Sequence, residues 1–247
     1  IQHGTMTLVR RAALDALGGW AEWCICEDAE LGLRMMEAGY ETAYVNQSYG
    51  QGLMPDTYTA YQKQRFRWAY GAVQILKPQR YHFIAGWAPW FADALNTAVT
   101  ALALVWTVGL VTLPKVFEFP LRFFLCASLG FFALKVGKTL WLYAARVKAT
   151  PGQNLAAALA GLSLTHTIGK AIFSGLFTKS RPFMRTPKCE DQPAFVRGLL
   201  ASREESTILA LLALGAFAIF VRYGSDDVEA LLWIALLAVQ SLPYVAS

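Results

Sequence analysis

The chain has 247 residues, a net charge of +5, a hydrophobic fraction of 55% and a positive mean hydropathy of +0.36. Soluble domains average about 45–50% apolar residues, so this composition excludes an ordinary soluble protein and indicates a membrane protein. Residues 1–80 show a mixed polar pattern, whereas the remainder carries long apolar runs. We therefore expect an aqueous part followed by a membrane-embedded part.

The basic residues cluster beside apolar segments, which fits an anionic membrane surface better than a nucleic-acid groove. No nucleic-acid partner is therefore expected. The cysteines are Cys24, Cys26, Cys126 and Cys189. The C-x-C motif of the first two lacks the second pair, or the histidines, that a zinc site needs. We therefore expect free thiols that face a reducing compartment, or packing groups in the membrane.

The first 80 residues predict alternating helix and strand. The first two expected helices cover residues 10–17, which stop at Gly18-Gly19, and residues 27–38, which stop at Gly39. A strand is expected over 41–46. A third helix is expected over 57–76; it starts near Pro55 and Asp56 and contains Gly71 as its one breaker. Glycines just past a helix favour its termination, and alternating β-rich residues favour a strand.

Long apolar runs in the second part predict membrane spans. The candidates are residues 95–113, 119–143, 206–221 and 230–246. Residues 155–177 are long enough for a further span, but His166 and Lys170 lie four apart on one helix face, which favours a helix along the membrane interface. Lysines and arginines concentrate in residues 146–203, so this stretch and the first 80 residues are expected to face the cytoplasm.

Three features of the cytoplasmic part could carry chemistry, and each has an ordinary structural alternative. Glu27 and Asp28 stand at a helix start, where the helix dipole alone favours acids. Gln64, Arg67 and Trp68 share one helix face, because they are spaced i, i+3 and i+4. Such a face can hold a diphosphate, a hydroxyl and the flat side of a sugar, or it can merely touch lipid headgroups.

The third feature is the basic loop 178–190, which contains the string FMRTPK. A solvated positive loop is the ordinary interpretation. A loop of this length with phenylalanine, threonine and proline is also suited to act as a lid over a site.

Together, these motifs resemble the processive family 2 glycosyltransferases, which are cellulose synthase-like membrane enzymes. The matching strings are GTMTLVRRAALDALGGW, CEDAELGLRMMEAGY, QRFRW and FMRTPK. The fold expected from this resemblance is α/β: residues 1–80 would be the C-terminal part of a cytoplasmic GT-A-type catalytic domain. Residues 81–247 would be an all-α transmembrane channel region with about four spans plus interface helices, and residues 178–190 would be a gating-type loop.

The resemblance also implies residue roles. Asp28 would be the general base that takes a proton from the acceptor hydroxyl, with Glu27 beside it in the substrate site. Trp68 would stack on the terminal sugar, with Gln64 beside it, and Arg67 would lie near the diphosphate. The gating loop would contribute Phe183 and Thr186.

Two departures from the family pattern stand out: Cys26 replaces the threonine of the T-E-D motif, and Arg185 replaces an apolar residue of the loop. The chain begins in what reads as the middle of a fold, so we expect a fragment that lacks the donor-binding half. The resemblance implies a Mg²⁺ (or Mn²⁺) cofactor whose ligands lie upstream of this fragment, with no metal ligands within it.

The sequence thus predicts a hexosyltransferase of the bacterial inner membrane, with a UDP-sugar donor, a glycan acceptor and the lipid bilayer as partners. It would transfer sugar with inversion to a growing β-linked polysaccharide and pass the product across the membrane. Two alternatives stay open: a transferase that adds a single sugar to a lipid-linked acceptor, and a non-catalytic membrane protein.

Overall fold

The computed structural model describes residues 7–45, 47, 49–50, 55, 57–78, 87–147, 149–178 and 202–247. Every regular element within these ranges is helical. The helices are α1 (Arg11–Ala16), α2 (Glu27–Glu37), α3 (Tyr58–Leu76), α4 (Ala88–Thr112), α5 (Leu121–Phe132), α6 (Lys138–Leu142), α7 (Pro151–Ser163), α8 (Thr165–Phe177), α9 (Arg203–Tyr223) and α10 (Val228–Val245). Short π-helical segments, Ala133–Gly137 and Tyr143–Val147, flank α6.

The chain divides into two compact units. Unit 1 comprises Ile1–Phe83 and Phe173–Asp191, and unit 2 comprises Ile84–Ile172 and Gln192–Ser247. The division proposed from the sequence, with residues 1–80 and 81–247 as separate domains, stays a prediction.

The three helices predicted for the first 80 residues are confirmed. Helix α1 ends before Gly18 and Gly19, whose φ angles are 78° and 80°, and α2 ends before Gly39, whose φ is 79°. These left-handed conformations suit glycine because it has no Cβ to clash. Helix α3 begins where predicted, and its N-cap is Thr57, whose Oγ1 accepts a hydrogen bond from the Ala60 N–H at 3.2 Å.

The α/β class predicted for this region is wrong. The described residues of the chain contain no strand, and so no GT-A-type sheet is seen in them. Residues 41–45, predicted to begin a strand, have no regular structure and are exposed, with Tyr44 at 85%. β-propensity reflects packing against neighbouring strands, and no neighbouring strand accompanies this segment within the described residues.

Helix α3 holds the segment that leads into α2. The Gln74 side chain is buried, its Oε1 accepts a hydrogen bond from the Ile25 N–H at 3.1 Å, and its Nε2 donates to the Trp23 carbonyl at 3.2 Å. One amide therefore satisfies two backbone groups of a segment without regular structure, which fixes that segment against the helix.

Close packing of Cys26 on Gly71 brings the start of α2 against α3. A Cβ added at Gly71 would lie 2.8 Å from the Cβ of Cys26 and closer still to its Sγ. Real Cβ atoms do not approach that closely, so only glycine at position 71 permits this contact. The isolated glycine in the middle of α3 therefore has a packing reason.

The other end of α2 is tied to the turn after α1. Glu30 is buried and pairs with Arg34 at 2.7 Å. The guanidinium of Arg34 also donates to the carbonyls of Leu17 and Gly19. This network satisfies a buried carboxylate and two turn carbonyls together, which keeps α2 in place.

Unit 2 contains the helices predicted to span the membrane. As predicted, four described helices are long and apolar enough to cross a bilayer: α4, the continuous helix Leu121–Ala145 that includes α5 and α6, α9, and α10. Helices α7 and α8 cover the stretch predicted to lie at the interface and meet at a bend of 42°. This bent pair is apolar enough for a broken span, and its interfacial placement stays a prediction.

The core of unit 2 is built around Trp233 of α10. This side chain is fully buried, and its Nε1 donates to Thr107 Oγ1 of α4 at 3.0 Å. Its ring lies edge-on to Phe124 of α5, with 5.0 Å between the ring centroids. Tyr223, at the end of α9, donates to the carbonyl of Leu110 at 2.9 Å. Trp233 thus joins α10 to α4 and α5, and Tyr223 ties the end of α9 to α4.

An ion pair lies among the apolar helices of unit 2. Lys135 Nζ donates to the Asp93 carboxylate and, at 2.8 Å, to Thr165 Oγ1. The Asp93 and Lys135 side chains are only 3% and 15% exposed. Lys135 belongs to a π-helical turn, a local widening that changes where side chains point along a helix. The pair therefore joins α4 and the long second span to the start of α8.

Breaking this ion pair from one side is expected to be costly. Lys135→Met leaves the buried Asp93 without its cation and should lower the unfolding free energy by about 3–5 kcal/mol. The double variant Asp93→Leu/Lys135→Met should recover most of that loss, because no unpaired charge remains. Thermal unfolding of the detergent-solubilised protein measures both, with the exposed Lys138→Met as control. Equal destabilisation of the single and double variants would contradict the pairing.

The glycine contact predicts a second stability effect. Gly71→Ala should lower the unfolding free energy by about 1–3 kcal/mol, because the added methyl group overlaps Cys26. Gly161→Ala, in a helix with open space around the glycine, is the matched control and should be neutral or stabilising by up to about 1 kcal/mol. Adding Cys26→Gly to Gly71→Ala should restore stability; denaturant titration decides, and the absence of rescue would refute this contact.

Candidate functional site

The predicted base stands at the first turn of α2. Asp28 is half-buried and Glu27 is exposed. Asp28 Oδ1 accepts a hydrogen bond from the Ala29 N–H at 2.8 Å, so this carboxylate satisfies one of the backbone donors that a helix start leaves open. Asp28 therefore has the structural role that acids commonly have at a helix start. Its catalytic role stays a prediction.

The predicted substrate face lies in the middle of α3. Gln64 and Arg67 are half-buried, and Trp68 is 39% exposed. Within the described residues, the Oε1 of Gln64 is buried and accepts no hydrogen bond. A buried acceptor without a partner costs free energy. Such acceptors are typical of positions that receive a ligand or a water molecule.

Cys26 brings the two halves of the predicted site together. Its Sγ lies 3.7 Å from the Arg67 carbonyl oxygen and 4.0 Å from that of Trp68. The start of α2, whose first turn contains Asp28, therefore lies next to the backbone of the turn of α3 that carries Arg67 and Trp68. The residue that departs from the family's T-E-D motif thus has a packing role here.

The two thiols of the C-x-C motif are protonated, and therefore unreactive, at neutral pH. Burial raises the pKa of Cys24 to about 11. Burial also raises the pKa of Cys26 well above its usual range, with further raising contributions from Cys24 and the carboxylates of Asp28 and Glu27. Thiolate is the reactive and metal-binding form of cysteine, so neither residue suits a nucleophile or a metal ligand at neutral pH.

The residues present do not fit a divalent metal site. No group of three or more His, Cys, Asp or Glu side chains comes together in the part of the chain that the structure describes. Mg²⁺ is usually bound through carboxylates and substrate phosphates, and Glu27 and Asp28 are the only acids of the predicted site.

Two predicted site residues, Phe183 and Thr186, lie outside the described residues, as does the loop 178–190 apart from Thr178. Thr178 itself is held by α3. The hydroxyls of Tyr70 and Thr178 are 2.9 Å apart, and Lys77 Nζ donates to the Thr178 carbonyl at 2.9 Å. The helix that carries the substrate face therefore also fixes the residue at which the loop begins.

One residue that the helical spacing did not select, Arg65, contacts the predicted substrate face. The guanidinium carbon of Arg65 lies 4.3 Å from the Trp68 ring centroid and 5.0 Å from that of Tyr61. The i, i+3 and i, i+4 spacing was the available signal, because it places all three side chains on adjoining turns. For the contact with Cys26, the signal in the sequence was Gly71, because a glycine in the middle of a helix often marks a close approach of another segment.

Comparisons with known proteins agree with the resemblance found in the sequence. The family model for glycosyl transferase family group 2 matches residues 1–221. The chain is 38% identical over 74 residues to the UDP-forming cellulose synthase catalytic subunit of Komagataeibacter sucrofermentans, and 35% identical over 74 residues to that of Xanthomonas axonopodis pv. citri. It is 36% identical over 74 residues to cellulose synthase 2 of Novacetimonas hansenii.

These alignments cover 30% of this chain and only 5–10% of the relatives' length. They support a likeness to cellulose synthases over a limited stretch. The family model, in contrast, covers most of the chain. The chain belongs to the family 2 glycosyltransferases.

Proposed function

We propose that the protein transfers a sugar from a UDP-sugar to the end of a growing β-linked glycan, with inversion at the anomeric carbon. The observation that carries the proposal is the contact of Cys26 with the Arg67 and Trp68 carbonyls, because it holds the predicted base beside the predicted sugar-binding turn. The proposed acceptor is a polysaccharide, in line with the names of the cellulose synthase relatives, and the sugar is a hexose.

In the proposed reaction, the oxygen of the acceptor hydroxyl attacks the anomeric carbon of the donor sugar, and Asp28 takes the proton of that hydroxyl. The bond between that carbon and the UDP oxygen breaks on the opposite side, which inverts the configuration and releases UDP. Trp68, partly exposed, offers an apolar ring to the C–H face of the acceptor sugar. The Gln64 Oε1, which has no partner among the described residues, suits a sugar hydroxyl. Arg67 is assigned to the diphosphate.

The remaining assignments complete the proposal. Glu27 lies beside the base, and Phe183 and Thr186 belong to a loop that closes over the nucleotide. The resemblance also implies a divalent cation, Mg²⁺ or Mn²⁺, for which the described residues offer no set of ligands.

We further propose that the protein resides in the bacterial inner membrane with residues 1–80 on the cytoplasmic side. Four helices of sufficient length and apolarity support membrane insertion, and the positive charge of residues 146–203 supports the orientation. In the proposed full enzyme, the spans carry the product across the bilayer. Trp106 of α4 donates its indole N–H to the Glu118 carbonyl at 2.9 Å, which gives this side chain a packing role.

Replacing the proposed base tests the catalytic assignment. Asp28→Asn in the full-length protein should lower glycan synthesis by about 10²–10⁴-fold, because general base catalysis contributes roughly that factor. Incorporation of radiolabelled UDP-glucose in membrane vesicles provides the measurement, and UDP-galactose and UDP-N-acetylglucosamine are tried as further donors. Glu22→Gln, at an exposed acid before α2, is the matched control. Undiminished synthesis by Asp28→Asn would rule out Asp28 as the base, whereas a lack of synthesis by the parent protein itself would favour the non-catalytic alternative.

Product length separates the polymerase from a transferase that adds one sugar to a lipid-linked acceptor. The full-length protein in proteoliposomes should convert labelled UDP-sugar into chains of many units, because the proposed acceptor is the end of the growing product. Size-exclusion chromatography after β-glucanase and mock digestion gives the length and linkage. A product that ends at one added sugar on an organic-extractable lipid would replace the polymerase proposal with the single-addition alternative.

A further inference from the structure

Arg65 lies between two aromatic rings on α3. Its guanidinium carbon is 4.3 Å from the centroid of Trp68 and 5.0 Å from that of Tyr61. Both distances are within the range of about 6 Å in which a cation is attracted to the face of an aromatic ring. The three side chains stand on successive turns, so the arrangement is a continuous stack along one face of the helix.

The burial of Arg65 favours this stack over a free, solvated side chain. Arg65 is half-buried, and its Nε is buried without a hydrogen-bond acceptor among the described residues. No carboxylate in the described part of the chain pairs with it. The aromatic rings are therefore the partners that fix the guanidinium plane here, and the attraction is stronger where water is excluded.

The stack constrains Trp68 in turn. An indole on a helix surface has two open torsions, and a flat cation against one ring face restricts them. Trp68 is still 39% exposed, so the stack does not cover the whole ring system. The exposed part of the indole is the surface that an uncharged sugar ring could contact with its C–H face.

We infer that Arg65 is a positioning residue: stacked between Tyr61 and Trp68, it holds the indole of Trp68 in the orientation that receives the glycan acceptor. This inference rests on the proposed function, in which Trp68 binds that acceptor. Arg65 itself contacts neither the donor nor the reacting atoms in this assignment, in contrast to Arg67.

Fluorine NMR tests the stack without relying on activity. The detergent-solubilised full-length protein is labelled with 5-fluorotryptophan, and the Trp68 resonance is identified by its loss in Trp68→Phe. In Arg65→Met the Trp68 resonance should shift or broaden, because the cation is gone, and in Arg65→Lys it should move less. Lys63→Met removes an exposed cation of the same helix and should leave the resonance in place. An unchanged resonance in Arg65→Met overturns the inference.

Kinetics then test the link to the acceptor. With short β-1,4-glucan oligomers as added acceptor, Arg65→Met should raise the acceptor KM about two- to fivefold and leave the UDP-sugar KM unchanged. Arg65→Lys should recover part of the loss, and Lys63→Met should match the parent protein. A rise in the UDP-sugar KM alone would overturn the positioning role in favour of a donor contact.

The two measurements separate failure of the inference from failure of the proposed function. If the Trp68 resonance moves in Arg65→Met while the acceptor KM stays unchanged, the stack is real, but Trp68 does not bind the acceptor. That outcome overturns the assignment of Trp68 in the proposed function. If the resonance does not move, the stack itself is refuted, whatever the kinetics show.

Discussion

The close contact between Cys26 and Gly71 is the constraint on which the candidate site depends. With any side chain at position 71, a Cβ would lie 2.8 Å from that of Cys26, so the two helices could not approach as they do. Three residues further along α3, Gln74 hydrogen-bonds the segment just before Cys26. Steric fit and hydrogen bonding thus act on the same short stretch, and the first turn of α2 has little freedom relative to α3.

Local patterns predicted the helices well because their causes are local. Glycines with positive φ end α1 and α2, and a threonine cap begins α3. The strand over 41–46 failed for the opposite reason: alternation is only half of what a strand needs, and the other half is a neighbouring strand that a sequence window does not show. Because the α/β class depended on that strand, the predicted class was wrong as well.

In the candidate site, too, the features with local causes could be predicted from the sequence and the long-range contacts could not. Periodicity placed Gln64, Arg67 and Trp68 on one face, because helical spacing fixes such neighbours. The contacts of Gln74 and of Cys26 join positions more than 40 residues apart, and no local pattern contains that information. Periodicity did not select Arg65, because a helical wheel shows direction but not the bending of a long side chain back over a ring.

The ion pair of Asp93 and Lys135 bears on how the protein is made. A lysine in the middle of an apolar helix opposes membrane insertion by about 2.5–3.5 kcal/mol when the helix enters alone. Asp93 belongs to the preceding span, and the pair is almost wholly enclosed by helices. During synthesis, the second span therefore gains its counter-charge only once the first is beside it, so the two are best inserted as a hairpin.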